Sequence, residues 1–382
     1  MNDMKGKQGL VCMGLLLVLS SCSCHTGKQI TASGLQRKDF QTEVNGQHTD
    51  LFTLSNKQGM EVCITNYGAR VVSILVPDRN GKREDVVCGF STITEYMEQR
   101  QNFGSTVGRY IGRILNARFT LDGVEYKLVP NNGKSGHISH GGNPGFADRI
   151  WKVEQADTHR VCLSYLSPDG ENGFPGNLKV TLVYSLGEDD NALDLTYEAT
   201  TDAPTVLNLS HHSFFNISGN FTKSVEDQQL WVDADRFTPY DDKKCVTGEY
   251  LPVAGTPLDF RMPHAIGECI DADHPQLKVV NGYDHTWELN TKGDDTRPAA
   301  WVYDPASGRK MEIFTTEPGM QIYTGNGLKG KMTGKGGIAY PFRSAVCFET
   351  MHFQDSPNQP GFPSTVLRPG EVFRSHTVYK FE

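Results

Sequence analysis

The chain has 382 residues, a formal net charge of −8 and 21% charged side chains. An acidic balance of this kind excludes nucleic acid as a partner, because phosphate binding needs clustered Lys and Arg. Thirty-nine glycines and nineteen prolines argue for many short strands joined by turns rather than long helices.

Lys5 and Lys7 precede an apolar run over residues 10–19. The run is too short to span a bilayer as a mature helix and reads as an export signal. It leads into Leu19-Ser20-Ser21-Cys22, which resembles the lipobox of bacterial lipoproteins. That resemblance implies a signal peptide over 1–21, a lipid-modified Cys22 and a flexible tether over 22–37 rich in Ser, Thr, Gly, Lys and Gln. It implies an exported protein, membrane-anchored in the periplasm or at the cell surface. An ordinary signal peptide cleaved nearby is the competing reading. Beyond Cys12 and Cys22 the chain has Cys24, Cys63, Cys88, Cys162, Cys245, Cys269 and Cys347. The count is odd and holds no CxxC pair. Cys63, Cys162 and Cys347 lie in apolar strand-like runs and read as buried thiols.

From residue 38 onward the pattern is that of strands. Residues 62–67 and 71–76 are two of them. A helix is expected over 91–99, with Ser91 and Thr92 as capping residues. Phe119-Thr120-Leu121 and Val124-Glu125-Tyr126 flank Asp122-Gly123, a strong hairpin signal. Further strands follow at 161–166, 178–186, 193–199, 229–232, 286–289, 299–303, 310–315, 321–325, 345–349 and 376–381. More than a dozen short strands, with no composition break, predict one all-β domain over 38–382, a large antiparallel β-sandwich. No oligomeric state is legible in the sequence.

Six segments carry candidate chemistry. Val107-Gly108-Arg109-Tyr110-Ile111-Gly112-Arg113 holds two arginines. Ser139-His140-Gly141-Gly142 sets a histidine before glycines that let the backbone approach a ligand. With His137 it also forms an H-x-x-H spacing, for which a zinc reading needs further ligands. Asn208-Leu209-Ser210-His211-His212-Ser213 offers imidazoles suited to proton transfer near neutral pH. Asn281-Gly282-Tyr283-Asp284-His285 and Glu317-Pro318-Gly319-Met320-Gln321 supply a carboxylate and an amide able to bind hydroxyls. Phe348-Glu349-Thr350-Met351-His352-Phe353 places a carboxylate among apolar neighbours, which is costly unless the group is paired or used.

In this order, the six segments resemble the signature words of the galactose mutarotase (aldose 1-epimerase) family. The resemblance implies the galactose mutarotase-like supersandwich and interconversion of the α and β anomers of a free aldose such as galactose or glucose. It implies that Glu349 is the base at the anomeric O1, His212 the acid at the ring O5, and His140 an aid near the ring oxygen. It implies Arg113, Asp284 and Gln321 as hydroxyl-binding residues, a monosaccharide as partner, and no metal, nucleotide or redox cofactor. Arg109 is assigned to structure. With ordinary pKa values Glu349 is ionised at neutral pH, and a carboxylate near His212 holds more of it protonated. Three positions depart from the family words: Gly112 and His211 stand where it has asparagine, and Met351 where it has glutamine. Phe103, Phe146, Phe174 and Phe215 are candidates to pack on the sugar ring.

Two other readings compete. One is a glycoside hydrolase with Asp284 and Glu349 as its carboxylate pair, which two prominent histidines fit less well. The other is a non-catalytic sugar-binding or sensing lipoprotein on the same fold, motivated by the three departures.

Overall fold

The computed structural model describes residues 29–382. The expected signal peptide, Cys22 and the first part of the tether lie outside the described residues. The end of the expected tether packs onto the domain instead of extending away from it. Ile30 bridges Gln36, and the Ala32 N–H donates to Glu61 Oε1 at 2.7 Å. Leu35 is buried beside Phe40 and Leu51 in an apolar cluster. Residues 29–37 therefore pack with the domain, through burial of Leu35.

Three antiparallel sheets make the body of the fold. In a nine-stranded sheet the order is Lys152–Ala156, Arg160–Ser167, Leu178–Leu186, Ala192–Thr201, Phe373–Phe381, Lys310–Thr315, Ala300–Tyr303, Gln229–Val232 and His264–Ala265. A six-stranded sheet runs Phe214–Phe215, Val346–Met351, Gly319–Tyr323, Asp284–Glu288, Arg236–Thr238 and Leu251–Pro252. A four-stranded sheet holds Leu51–Ser55, Glu61–Thr65, Arg70–Pro77 and Arg83–Asp85. The nine- and six-stranded sheets face each other through Phe215, Phe348 and Tyr379, whose hydroxyl donates to the Phe348 carbonyl at 3.0 Å. One continuous apolar core fills the space between them.

Local sequence explains the elements. Leu178–Leu186 alternates buried and more exposed positions along its whole length, the period-2 signature of a half-buried strand. Asp122 and Gly123 both take positive φ, 51° and 79°, as the two-residue hairpin between Arg118–Leu121 and Val124–Lys127 requires. Helix α1 (Ile93–Gln99) starts at a capping box in which Thr92 and Glu95 satisfy each other's backbone N–H groups. A second helix, α2 (Pro275–Val280), was not expected; Pro275 opens it and Asn281 ends it in the left-handed region. Cys63 and Cys347 are buried as predicted, whereas Cys162 is half-exposed. Alternation turns Val161 and Leu163 inward on that strand and leaves Cys162 on the outer face. No helix among the described residues is long and apolar enough to cross a membrane.

Candidate active site

Strand periodicity gives the six-stranded sheet two chemically different faces. Met320, Ile322, Trp287, Phe348 and Phe215 point into the core. Their alternate neighbours Gln321, Tyr323, Glu349 and Phe214 point the other way and line a cleft of about 240 Å³, together with Asp284. Register fixes their spacing. Gln321 stands opposite Glu349, Asp284 opposite Tyr323, and Phe214 opposite Cys347.

Two short ladders close the cleft from the side. Ser210–His212 pairs with Ser105–Val107, so that His212 faces Ser105. Ile138–Ser139 pairs with Arg113–Ile114, which sets Ser139 opposite Arg113 and delivers His140 next to it. His140 sits in the left-handed region, φ 53°. Behind it a Cβ on Gly141 would lie 2.0 Å from the Gly108 carbonyl oxygen, so only glycine lets the loop close this tightly. Buried Arg70 anchors the remaining wall: its guanidinium donates to the carbonyls of Gln101, Phe103 and Ala147. Gln101 and Asn102 reach the cleft.

All six residues expected at the site line this one cleft: Glu349, His212, His140, Arg113, Asp284 and Gln321. Nε2 of His212 lies 3.4 Å from Oε1 of Glu349. The His212 ring stacks on Phe214, centroids 5.1 Å apart, and meets His140 edge-on at 5.5 Å. Gln321 donates to Asp284 Oδ1 at 2.7 Å and accepts from the Thr286 hydroxyl at 2.5 Å.

Electrostatics here differ from the ordinary values assumed from sequence. Burial, reinforced by Asp284, pushes the Glu349 carboxyl well up, and Arg113 only partly opposes it. Burial, with His140 adding to it, pushes His212 well down. His140 is pushed down to about 4 by burial and by Arg113. Burial therefore works against the protonated imidazole expected from a neighbouring carboxylate.

Other expectations fall outside the cleft. Phe103, Phe146, Phe174 and Phe215 are all core residues; the cleft aromatics are Phe214 and Tyr323. Phe214, not Phe215, faces the cleft, because the core takes Phe215 on the opposite face of the strand. Arg109 is structural, as assigned: it is buried and donates to Ser167 Oγ and to the carbonyls of Pro175 and Gly176. His137 turns away from His140, with its Nε2 3.3 Å from Cys245 Sγ. Met351 packs against Val107 and Ile111 at the floor. His211 is on the far side, bonded to Ser213 Oγ at 2.6 Å. Tyr240 and Gln354 were missed; Tyr240 gave no local signal, whereas Gln354 lies one residue past the segment 348–353 singled out from sequence.

A sequence model described as aldose 1-epimerase matches residues 50–380. The chain belongs to the aldose 1-epimerase family. It is 39% identical over 330 residues to a galactose mutarotase of Sus scrofa, covering 86% of this chain and 93% of that protein. It is 36% identical over 339 residues to an aldose 1-epimerase of Escherichia coli, covering 88% and 96%. Its fold superposes on an aldose epimerase homologue from C. elegans with a TM-score of 0.80 at 31% identity, covering 87% of this chain and 99% of that one. A galactose 1-epimerase from Lactobacillus acidophilus gives 0.78 at 29%, covering 90% and 97%. The enzyme is an isomerase that interconverts the anomers of a free aldose.

Proposed function

We propose that Glu349 and His212 form the acid–base pair of this mutarotation, acting on galactose and glucose. O1 and O5 share one carbon of a hemiacetal, so a base for one and an acid for the other must stand close together. The 3.4 Å separation of Glu349 and His212 is the observation that carries the assignment. Glu349 removes the O1 proton while His212 protonates O5. The C1–O5 bond opens, the aldehyde turns about C1–C2, and the ring recloses on the other face with the two groups exchanging roles. Each half-reaction moves one proton in and one out, so the pair ends a full cycle as it began. His140, neutral at its lowered pKa of about 4, assists beside the ring oxygen as a hydrogen-bonding group. Arg113, Asp284 and Gln321 hold the remaining hydroxyls.

The assignment is supported by convergence of all six side chains on one cleft. Optical rotation of freshly dissolved α-D-galactose and α-D-glucose tests the substrate. A faster approach to equilibrium than in buffer is expected for both. Measurable sugar binding with no acceleration for any aldose would instead make this a binding or sensing protein.

We further propose that the enzyme is an exported lipoprotein held to a membrane through Cys22, on the strength of the segment Leu19-Ser20-Ser21-Cys22 and its resemblance to a lipobox. A single acyl chain binds a membrane weakly and several hold it firmly. Full-length protein is expected in the membrane fraction and a Cys22→Ala variant is not. Equal partition of both would remove the anchor from the account.

A further inference from the structure

One polar side chain in the cleft has no part in the scheme above. Gln354 is buried, and it lines the cleft between Arg113 and Gln321. Its amide orientation is determined by chemistry. A backbone N–H can only donate, so the atom that the Arg113 N–H meets at 3.2 Å is the carbonyl oxygen Oε1. The other end, Nε2, donates to the Tyr240 hydroxyl at 2.6 Å and to Gln321 Oε1 at 3.3 Å. Both amide hydrogens are therefore used. Of the two lone pairs on Oε1, one is taken by Arg113, and the other has no partner among the described residues.

Gln354 and Gly112 are shaped to each other. A Cβ on Gly112 would lie 2.5 Å from Gln354 Cγ and 3.0 Å from its Cδ. These are atoms in the middle of the side chain, held at both ends, so they cannot swing aside. Gly112 also has φ +75°, which disfavours any larger residue. Residue 112 is where the family word carries an asparagine. The space its amide would need is filled here by an amide arriving from the other side of the cleft.

We propose that Gln354 is a substrate-binding and specificity-determining residue. Its Oε1 accepts a hydrogen bond from a ring hydroxyl of the aldose, and Gly112 stays bare to seat it. The proposal rests on the mutarotase reading above. Because the amide is fixed by Arg113 and Tyr240, it accepts and does not adapt. A sugar lacking that hydroxyl leaves a buried oxygen unsatisfied, which is how a polar site discriminates.

Steady-state mutarotation by wild type, Gln354→Ala and Gln354→Met on galactose and on its 2-, 3-, 4- and 6-deoxy analogues tests this. Met keeps the length of the side chain and guards against collapse of the wall. On galactose both variants are expected to raise KM about 3- to 10-fold, the effect of one net hydrogen bond, with kcat changed much less. For one deoxy sugar, wild type and variants should become alike, naming the hydroxyl contacted. An unchanged KM in both variants, or the same loss on every analogue, would overturn the proposal and leave Gln354 as wall support. Inactivity of the wild type itself would instead remove the mutarotase reading, so the two failures are distinguishable.

Discussion

Oε1 of Glu349 and Nε2 of His212 lie 3.4 Å apart in a wall from which water is largely excluded. Neither group behaves as it would alone. Burial raises the carboxyl and lowers the imidazole, so the two titrate as a unit that gains or loses protons in macroscopic steps.

A pH profile follows from those directions. Were His212 an independent imidazole near 6.5, kcat/KM would climb as pH falls through that value, since the acid form would be filling. In the buried pair burial lowers His212, so its titration is moved below 6.5. The expected profile of kcat/KM is therefore level through pH 6.5. A rise of more than about twofold centred there would show that the groups titrate independently.

His212→Asn keeps a hydrogen-bonding side chain of similar size and removes the titrating ring. Turnover is expected to fall by roughly 10²-fold or more, the usual range for a general acid, with an unchanged melting temperature. The stacking of this ring on Phe214 makes the melting control necessary. Near-normal kcat in a well-folded variant would move the acid elsewhere.

Arg113 occupies the side of the cleft, with its Nη1 donating to the Lys244 carbonyl at 3.4 Å. Its side chain also hydrogen-bonds Tyr240, and the remaining guanidinium N–H groups can meet sugar oxygens. Arg113→Ala is expected chiefly to raise KM. A fall in kcat with KM unchanged would mean that the charge acts in the transition state and not in ground-state binding.

The nine-stranded sheet contains a separate pH-sensitive element. His376 is raised to about 9, first by its hydrogen bond to Asp194 and then, against the cost of partial burial, by Asp295. Its folded pKa lies above the unfolded value near 6.5. The stabilisation is thus fully present below 6.5 and is lost as pH rises through 9. Solvent reaches about a third of this side chain, and screening reduces the contribution to about 1 kcal/mol. His376→Gln should lower the melting temperature at pH 6 and have little effect at pH 10. An equal loss at both would assign the effect to packing.

Much of this architecture was legible because strand periodicity is a local property. Leu178–Leu186, Gln229–Val232 and Lys310–Thr315 begin and end where their alternation does. Six polar members of the cleft were legible because each sits in a distinctive short segment. Its electrostatics were not, since the pKa values of Glu349 and His212 depend on burial created by distant chain, not on neighbours in sequence. The aromatic wall was misassigned for a related reason: choosing between Phe214 and Phe215 requires knowing which face of the strand meets the core. Gly112 read only as a departure from the family word because its counterpart, Gln354, lies 242 residues away and is joined to it only by the fold. Residues 29–37 read as tether by composition, yet Leu35 and Thr31 are buried.

The most direct test of the acid–base pair is polarimetry of α-D-galactose with wild type and Glu349→Gln, each at matched folded concentration. The amide keeps the shape of the carboxyl and cannot take the O1 proton. The account predicts rapid decay to the equilibrium rotation with wild type and a rate lower by roughly 10²-fold or more with the variant. Decay at a wild-type rate in Glu349→Gln would contradict it and place the base on another residue of the cleft.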